Sequence, residues 1–290
     1  MLSHRLVRRF ALALAVGALA IGGCGELAQK ERELTFRVVA GDASWYSGLP
    51  DGVHEMDIPL AADDGRTQRI HAWWWPAERA DAPAVLYFHG SRWNLTGQLS
   101  RIRELHAFGF AVLAVDYRGF GKSDGDDPSE RSVYEDSRAA WRAFAALVPD
   151  PRRRILYGHS LGGAVAVDLA AWLDRNAGAE EPARGLVVES SFTTLADVAK
   201  ALSYEWLPAE WFLSQKFDSL GKIVDVRMPV LFVHGAADRF IPARFSQALY
   251  DAARARKRLL VVDGATHNNS MRVAPDEYRA ALFALFGLSG

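Results

Sequence analysis

The chain is nearly devoid of cysteine: Cys24 is the single one in 290 residues. An internal disulfide is therefore impossible, and metal or redox sites built from paired cysteines are excluded with it. There is no H-E-x-x-H pair, so the helix-borne zinc signature is missing too. Neither sign of charge is in excess, with 34 Lys and Arg against 35 Asp and Glu. Such a balance supplies no field to gather nucleic acid and no acidic surplus to keep a chain disordered. The densest basic run, Arg254–Arg258, closes a helical pattern and reads as a solvated helix end. Nucleotide loops fail as well. "GFGKS" (Gly119–Ser123) resembles the end of a P-loop, but Asp116 stands where its first glycine is required, and Asp124 spoils the dinucleotide spacing before Gly125. No cofactor and no metal is expected, and no internal repeat is present.

Long apolar runs are scarce. One lies at the start: Arg5, Arg8 and Arg9 precede "ALALAVGALAIGG". A charged segment followed by roughly a dozen apolar residues is too short to span a bilayer and fits an export signal. It ends in "IGGC". Small residues before a lone cysteine resemble the bacterial lipoprotein signal, which implies cleavage before Cys24 and lipidation of its thiol. The alternative is an ordinary secretory signal followed by an idle cysteine. Residues 1–23 are read as signal, 24–31 as a polar tether and 32–290 as one domain. The expected location is the bacterial cell envelope, with the membrane reached through the lipid at Cys24. Several acyl chains anchor stably where a single chain does not.

From His54 onward, strand and helix patterns alternate. "AVLYFHG", "AVLAVDYRG", "RILYGHS", "GLVVESS", "PVLFVHG" and "RLLVVDG" are short, continuous apolar runs, as strands buried on both faces require. Helical spacing recurs between them, at 99–108, 133–147, 161–177, 245–255 and 276–286. The order predicts an α/β fold, a doubly wound and mostly parallel sheet with helices on both faces. Trp73–Trp75 alternate faces of an early strand and read as packing. The stretch 192–223 breaks the rhythm with large aromatics and reads as a small helical cap.

"GHSLG" (Gly158–Gly162) follows an apolar run and opens a helix. Glycines on both sides let the chain turn sharply and hold Ser160 clear of its surroundings, beside the free N–H groups of the helix start. With "YFHGS" (Tyr87–Ser91), "DYRGFGKSDG" (Asp116–Gly125) and "VHGAADRFIP" followed by "GATH" (Val233–Pro242, Gly264–His267), the chain resembles the α/β-hydrolase superfamily, and within it serine esterases, monoacylglycerol lipases and serine aminopeptidases. The resemblance implies Ser160 as nucleophile, His267 as base and Asp238 as acid, with the N–H groups of Ser91 and Leu161 receiving the oxyanion. Glu189, at the end of an earlier strand, is an alternative acid; Asp263 is a lesser one. The implied reaction is hydrolysis of a carboxylic ester, lipid monoester or thioester through an acyl-enzyme. A serine aminopeptidase, using Glu205 or Glu210 to hold an amine, and a non-catalytic exported binding protein are the alternatives. Trp206, Trp211 and Phe212 are candidates for apolar bulk near the pocket. No nucleic-acid partner is expected.

Overall fold

The computed structural model describes residues 25–26, 28–39, 41–61, 65–125, 128–202 and 213–289. The signal at 1–23, Cys24, and Glu205, Trp206, Glu210, Trp211 and Phe212 lie outside the described residues.

Eight strands form one sheet: β1 (His54–Ala61), β2 (Thr67–Trp75), β3 (Ala84–Phe88), β4 (Ala111–Val115), β5 (Arg154–His159), β6 (Gly185–Glu189), β7 (Val230–Gly235) and β8 (Lys257–Val262). Their spatial order is β1-β2-β4-β3-β5-β6-β7-β8. β2 is antiparallel to β1 and to β4, and every later pairing is parallel. Along the chain run the helices α1 (Leu95–Ala107), α2 (Glu130–Leu147), α3 (Leu161–Arg175), α4 (Leu195–Leu202), α5 (Ser219–Ile223), α6 (Arg244–Ala252), α7 (Ser270–Val273) and α8 (Pro275–Phe286), and residues 28–36 are helical as well.

The continuous apolar strands bury both faces because side chains alternate across the sheet. In β3, Leu86 and Phe88 join one core with Trp141 and Phe144 of α2 and Val165 of α3. Val85 and Tyr87 join the other with Ile102 of α1 and Tyr278 of α8. Trp73 is buried and stacks on Tyr46, and Trp75 stacks on His106 with ring centroids 4.0 Å apart. Packing, as expected, occupies these tryptophans.

Helix starts differ from the apolar pattern because polar caps set them. α1 begins at Leu95, ahead of the expected 99, with the Asn94 side chain accepting from the N–H of Thr96. α2 begins at Glu130 with a reciprocal Ser129–Ser132 capping box. The expected tether is a further difference. Residues 28–36 are helical, and buried Glu31 accepts hydrogen bonds from the backbone N–H groups of Ser214 and Gln215. A polar stretch can dock when its carboxylate finds backbone donors. Of the expected cap, α4, α5 and the chain from 213 are described, and 203–212 lie outside the described residues. Among the described residues, no helix is long and apolar enough to cross a membrane.

Candidate active site

The parallel strands set the site. Phe88 pairs with Gly158 and His159 with Glu189, so the C-terminal ends of β3, β5 and β6 lie side by side. Loops leaving that edge share one crevice, the usual ligand position in open α/β sheets.

Ser160 sits between β5 and α3 with φ 56° and ψ −120°. A non-glycine residue is strained there, and its surroundings must hold it. The Ser160 N–H donates to the Glu189 carbonyl at 2.9 Å. The Ser160 carbonyl accepts from the Ser191 hydroxyl at 2.8 Å and from the Gly163 N–H at 2.9 Å. The flanking glycines are required by close approach. A Cβ on Gly158 would lie 2.1 Å from the Gly162 carbonyl oxygen, and one on Gly162 would lie 2.1 Å from that of Phe88. Strand, turn and helix are thus pressed against β3 at backbone contact.

His267 lies in the loop after β8. Its Nδ1 is 2.7 Å from Asp238 Oδ2. A carboxylate accepts only, so Nδ1 donates to it, and Nε2 is the ring nitrogen left to face away from Asp238. Asp238 follows β7, and its side chain is fully buried. Its Oδ1 accepts from the N–H groups of Phe240 and Ile241 at 2.9 and 3.0 Å. His234 Nε2 approaches its Oδ2 at 3.2 Å. Burial pushes this carboxyl up, but the hydrogen bonds from His234 and His267 outweigh it and hold the group well below the ordinary carboxylate range.

Glu189, the alternative acid, is turned elsewhere. It is fully buried, pairs with Arg101 at 2.8 Å, and accepts from the hydroxyls of Tyr157 and Tyr278. The geometry thus gives His267 to Asp238. Asp263 is exposed and caps its own turn, accepting from the Gly264 N–H at 3.0 Å.

Gly90 and Ser91 form the facing loop. A Cβ on Gly90 would sit 3.2 Å from Ser160 Cβ, so the loop abuts the serine. The Tyr117 hydroxyl donates to the His89 carbonyl at 3.0 Å, and His89 Nδ1 donates to the Gly90 carbonyl at 2.7 Å. Asp116 Oδ1 lies 3.3 Å from His89 Nε2 and accepts from the Leu95 N–H at 2.9 Å. "DYRG" therefore braces the loop that carries Ser91.

Sequence reasoning missed three supporting side chains: His159, Ser191 and His234. His159 Nε2 donates to the His267 carbonyl at 2.8 Å, tying the serine strand to the histidine loop. Burial first, then the charge of Arg101, hold its imidazole well below the ordinary histidine range, so it is neutral. His159 and Ser191 stood in quoted motifs, but their partners lie 108 and 31 residues away in the chain, where no local pattern reaches.

Ser91, Leu161, Ser160 and His267 line one cavity of about 740 Å³. Phe192, Leu195, Val198, Leu213 and Ile241 supply an apolar wall. Drug-sized and lipid-like ligands occupy spaces of this scale.

A family model described as "Alpha/beta hydrolase family" matches residues 85–281. A Mycobacterium tuberculosis protein, Rv2307c, is 35% identical over 272 residues, 92% of this chain and 91% of its own. The lysophosphatidylserine lipase ABHD12 of Danio rerio is 30% identical over 202 residues, 64% of this chain and 51% of its own. Among solved structures, the Pyrococcus furiosus esterase Pf2001 aligns with a TM-score of 0.65 at 19% identity, covering 87% of this chain and 98% of that one. Acetyl xylan esterase 1 from Thermoanaerobacterium aligns with a TM-score of 0.59 at 20% identity, covering 90% and 93%. At those identities the solved structures speak to the fold.

Proposed function

The chain belongs to the alpha/beta hydrolase family, and from that premise we propose that it is a serine hydrolase cleaving carboxylic esters through an acyl-enzyme. One observation carries the reading. Ser160, in its strained turn, shares a cavity with a His267 whose Nδ1–H is held by a buried Asp238 at 2.7 Å.

The chemistry follows from that arrangement. His267 Nε2 takes the proton of Ser160 Oγ as the oxygen attacks the ester carbonyl. The carbonyl oxygen becomes an oxyanion and is received by the N–H groups of Ser91 and Leu161; a donor of this kind is worth about a hundred- to a thousand-fold in turnover. Asp238 stabilises the imidazolium and keeps its orientation. His267 then protonates the departing alcohol, leaving the acyl group on Ser160. Water, deprotonated by His267, attacks the acyl-enzyme, and Ser160 recovers its proton as the acid leaves.

The apolar wall suits an acyl chain, and a lipid monoester is the favoured substrate. The lysophosphatidylserine lipase among the relatives supports that choice. Export and lipidation at Cys24 belong to the same proposal, supported by the "IGGC" signal. The test is reaction of the full chain with a fluorophosphonate, followed by mapping of the adduct by mass spectrometry. Labelling at Ser160 that fades in Ser160→Ala and His267→Ala is expected. Folded protein that stays unlabelled would sink the reading in favour of a binding protein. Turnover of aminoacyl amides above esters would favour an amidase.

A further inference from the structure

Four large apolar side chains stand out on the surface. Leu34, Trp45, Leu202 and Phe240 are 62, 59, 58 and 57% exposed, above every other exposed large apolar side chain among the described residues. The next, Val261 and Val273, are 46 and 44% exposed. All four line the mouth of the one cavity that holds Ser160, whereas Val261 and Val273 do not. They come from four separate segments: the helical run 28–36, the loop before β1, the end of α4 and the loop after β7. Single exposed apolar side chains are ordinary, but convergence on one opening marks a contact surface.

Cations surround them. Lys30, Arg37 and Arg92 line the same cavity. Lys30 pairs with exposed Glu33 at 2.7 Å, and its side chain is 66% exposed. Among the described lining residues the one carboxylate is Glu31, which is buried and turned to Ser214 and Gln215. Protein interfaces deplete lysine. Apolar tips ringed by Lys and Arg instead match an anionic bilayer, where tips enter the acyl boundary and cations meet phosphates. The N-terminal segment adds direction. Lys30 follows Cys24 by six positions, a reach of about 20 Å at most. Whatever surface holds the chain near Cys24 therefore lies close to the mouth.

We propose that the mouth of the cavity docks on an anionic phospholipid bilayer, with Leu34, Trp45, Leu202 and Phe240 entering the acyl boundary and Lys30, Arg37 and Arg92 binding headgroup phosphates. The proposal does not rest on ester hydrolysis, since a binding protein with this mouth would dock in the same way.

The test uses the full chain with Cys24→Ser, so that one introduced thiol is unique. Four single variants, Leu34→Cys, Leu202→Cys, Val261→Cys and Leu147→Cys, each carry an environment-sensitive fluorophore. Vesicles are phosphatidylcholine with about one part in three phosphatidylglycerol and lipid-borne quenchers. Positions 34 and 202 are expected to blue-shift and be quenched, while 261 and 147 stay unchanged. Replacing phosphatidylglycerol by phosphatidylcholine is expected to weaken the response roughly a hundredfold, and Arg37→Gln with Arg92→Gln to remove about 25-fold of that preference, at about fivefold per cation. An equal response at all four positions would overturn the proposal. So would emission at 34 and 202 that is already blue-shifted before vesicles are added, since protein then covers the mouth. Fluorophosphonate labelling of the same samples reads the catalytic proposal separately.

Discussion

Two buried carboxylates stand at neighbouring places on the same sheet edge, and they do different work. Glu189 ends β6, and Asp238 follows β7. Each is fully enclosed and each accepts several hydrogen bonds. Glu189 spends its capacity on Arg101, Tyr157 and Tyr278, which join α1, β5 and α8 beneath the sheet edge. Asp238 spends half of its capacity on backbone N–H groups and the rest on two imidazoles, one of which reaches the cavity. Burial and charge are therefore poor guides to the acid of the proposed triad. The hydrogen-bond partners show which carboxylate ties the interior together and which reaches His267.

The largest expected effect separates the pair by turnover. Asp238→Asn keeps the shape but offers His267 an amide, which does not fix the tautomer. Turnover of a soluble ester should fall by about ten-thousand-fold. Glu189→Gln should change turnover by less than about tenfold once corrected for folded fraction, because Glu189 does not touch His267. Equal losses in the two variants would erase the distinction.

Stability reverses the ranking. Removing the charge of Glu189 strands the Arg101 guanidinium in the interior. Breaking a buried pair from one side costs about 3–5 kcal/mol. Thermal unfolding should drop by roughly 10 °C in Glu189→Gln. A melt within about 2 °C of the parent would mean that the pair is not closed as described.

This division was legible only in part. The strand and helix alternation and the sharp turn at Ser160 were legible within ten or so residues of chain, because such turns and apolar runs are local, whereas Asp238 and His267 were reached only through the resemblance to the α/β-hydrolase superfamily. Glu189 remained an open alternative, since Arg101 and Tyr278 lie 88 and 89 residues from it and nothing local shows them. The starts of α1 and α2 were missed because Asn94 and Ser129 cap them ahead of the apolar stripe. The docking of Glu31, at the end of the expected tether, was not legible because its donors lie at 214 and 215, far along the chain.

His159 gives a smaller effect that bears on the Asp238 side alone. Its imidazole titrates well below the ordinary range when folded and near 6.5 when unfolded. The unfolded chain thus binds the proton first. The stability contributed is fully present above about pH 6.5 and is lost as pH falls below it, at up to about 1.4 kcal/mol per pH unit. His159→Gln retains an N–H donor for the His267 carbonyl and has no such titration. Denaturant midpoints measured from pH 7 down to pH 5 should fall more steeply for the parent than for His159→Gln. Parallel curves would show that His159 carries its proton in the folded chain.

The smallest expected effect lies in the two serines that follow Glu189. The Ser191 hydroxyl donates to the Ser160 carbonyl at 2.8 Å, so it steadies the strained turn directly. The Ser190 hydroxyl is buried without a hydrogen-bond partner, although the residue itself has φ 49°. Ser191→Ala removes one net hydrogen bond and leaves a buried carbonyl still bonded to the Gly163 N–H, a cost of about 1 kcal/mol. Ser190→Ala removes a polar atom that was unsatisfied and should be neutral or slightly stabilising. Both residues are buried and differ from alanine by one oxygen, so cavity terms largely cancel between them. Equilibrium unfolding of the two variants side by side isolates the bond. A turnover loss confined to Ser191→Ala would show that this hydroxyl holds the turn of Ser160 as well as the fold, whereas equal stability and equal turnover would remove Ser191 from the site.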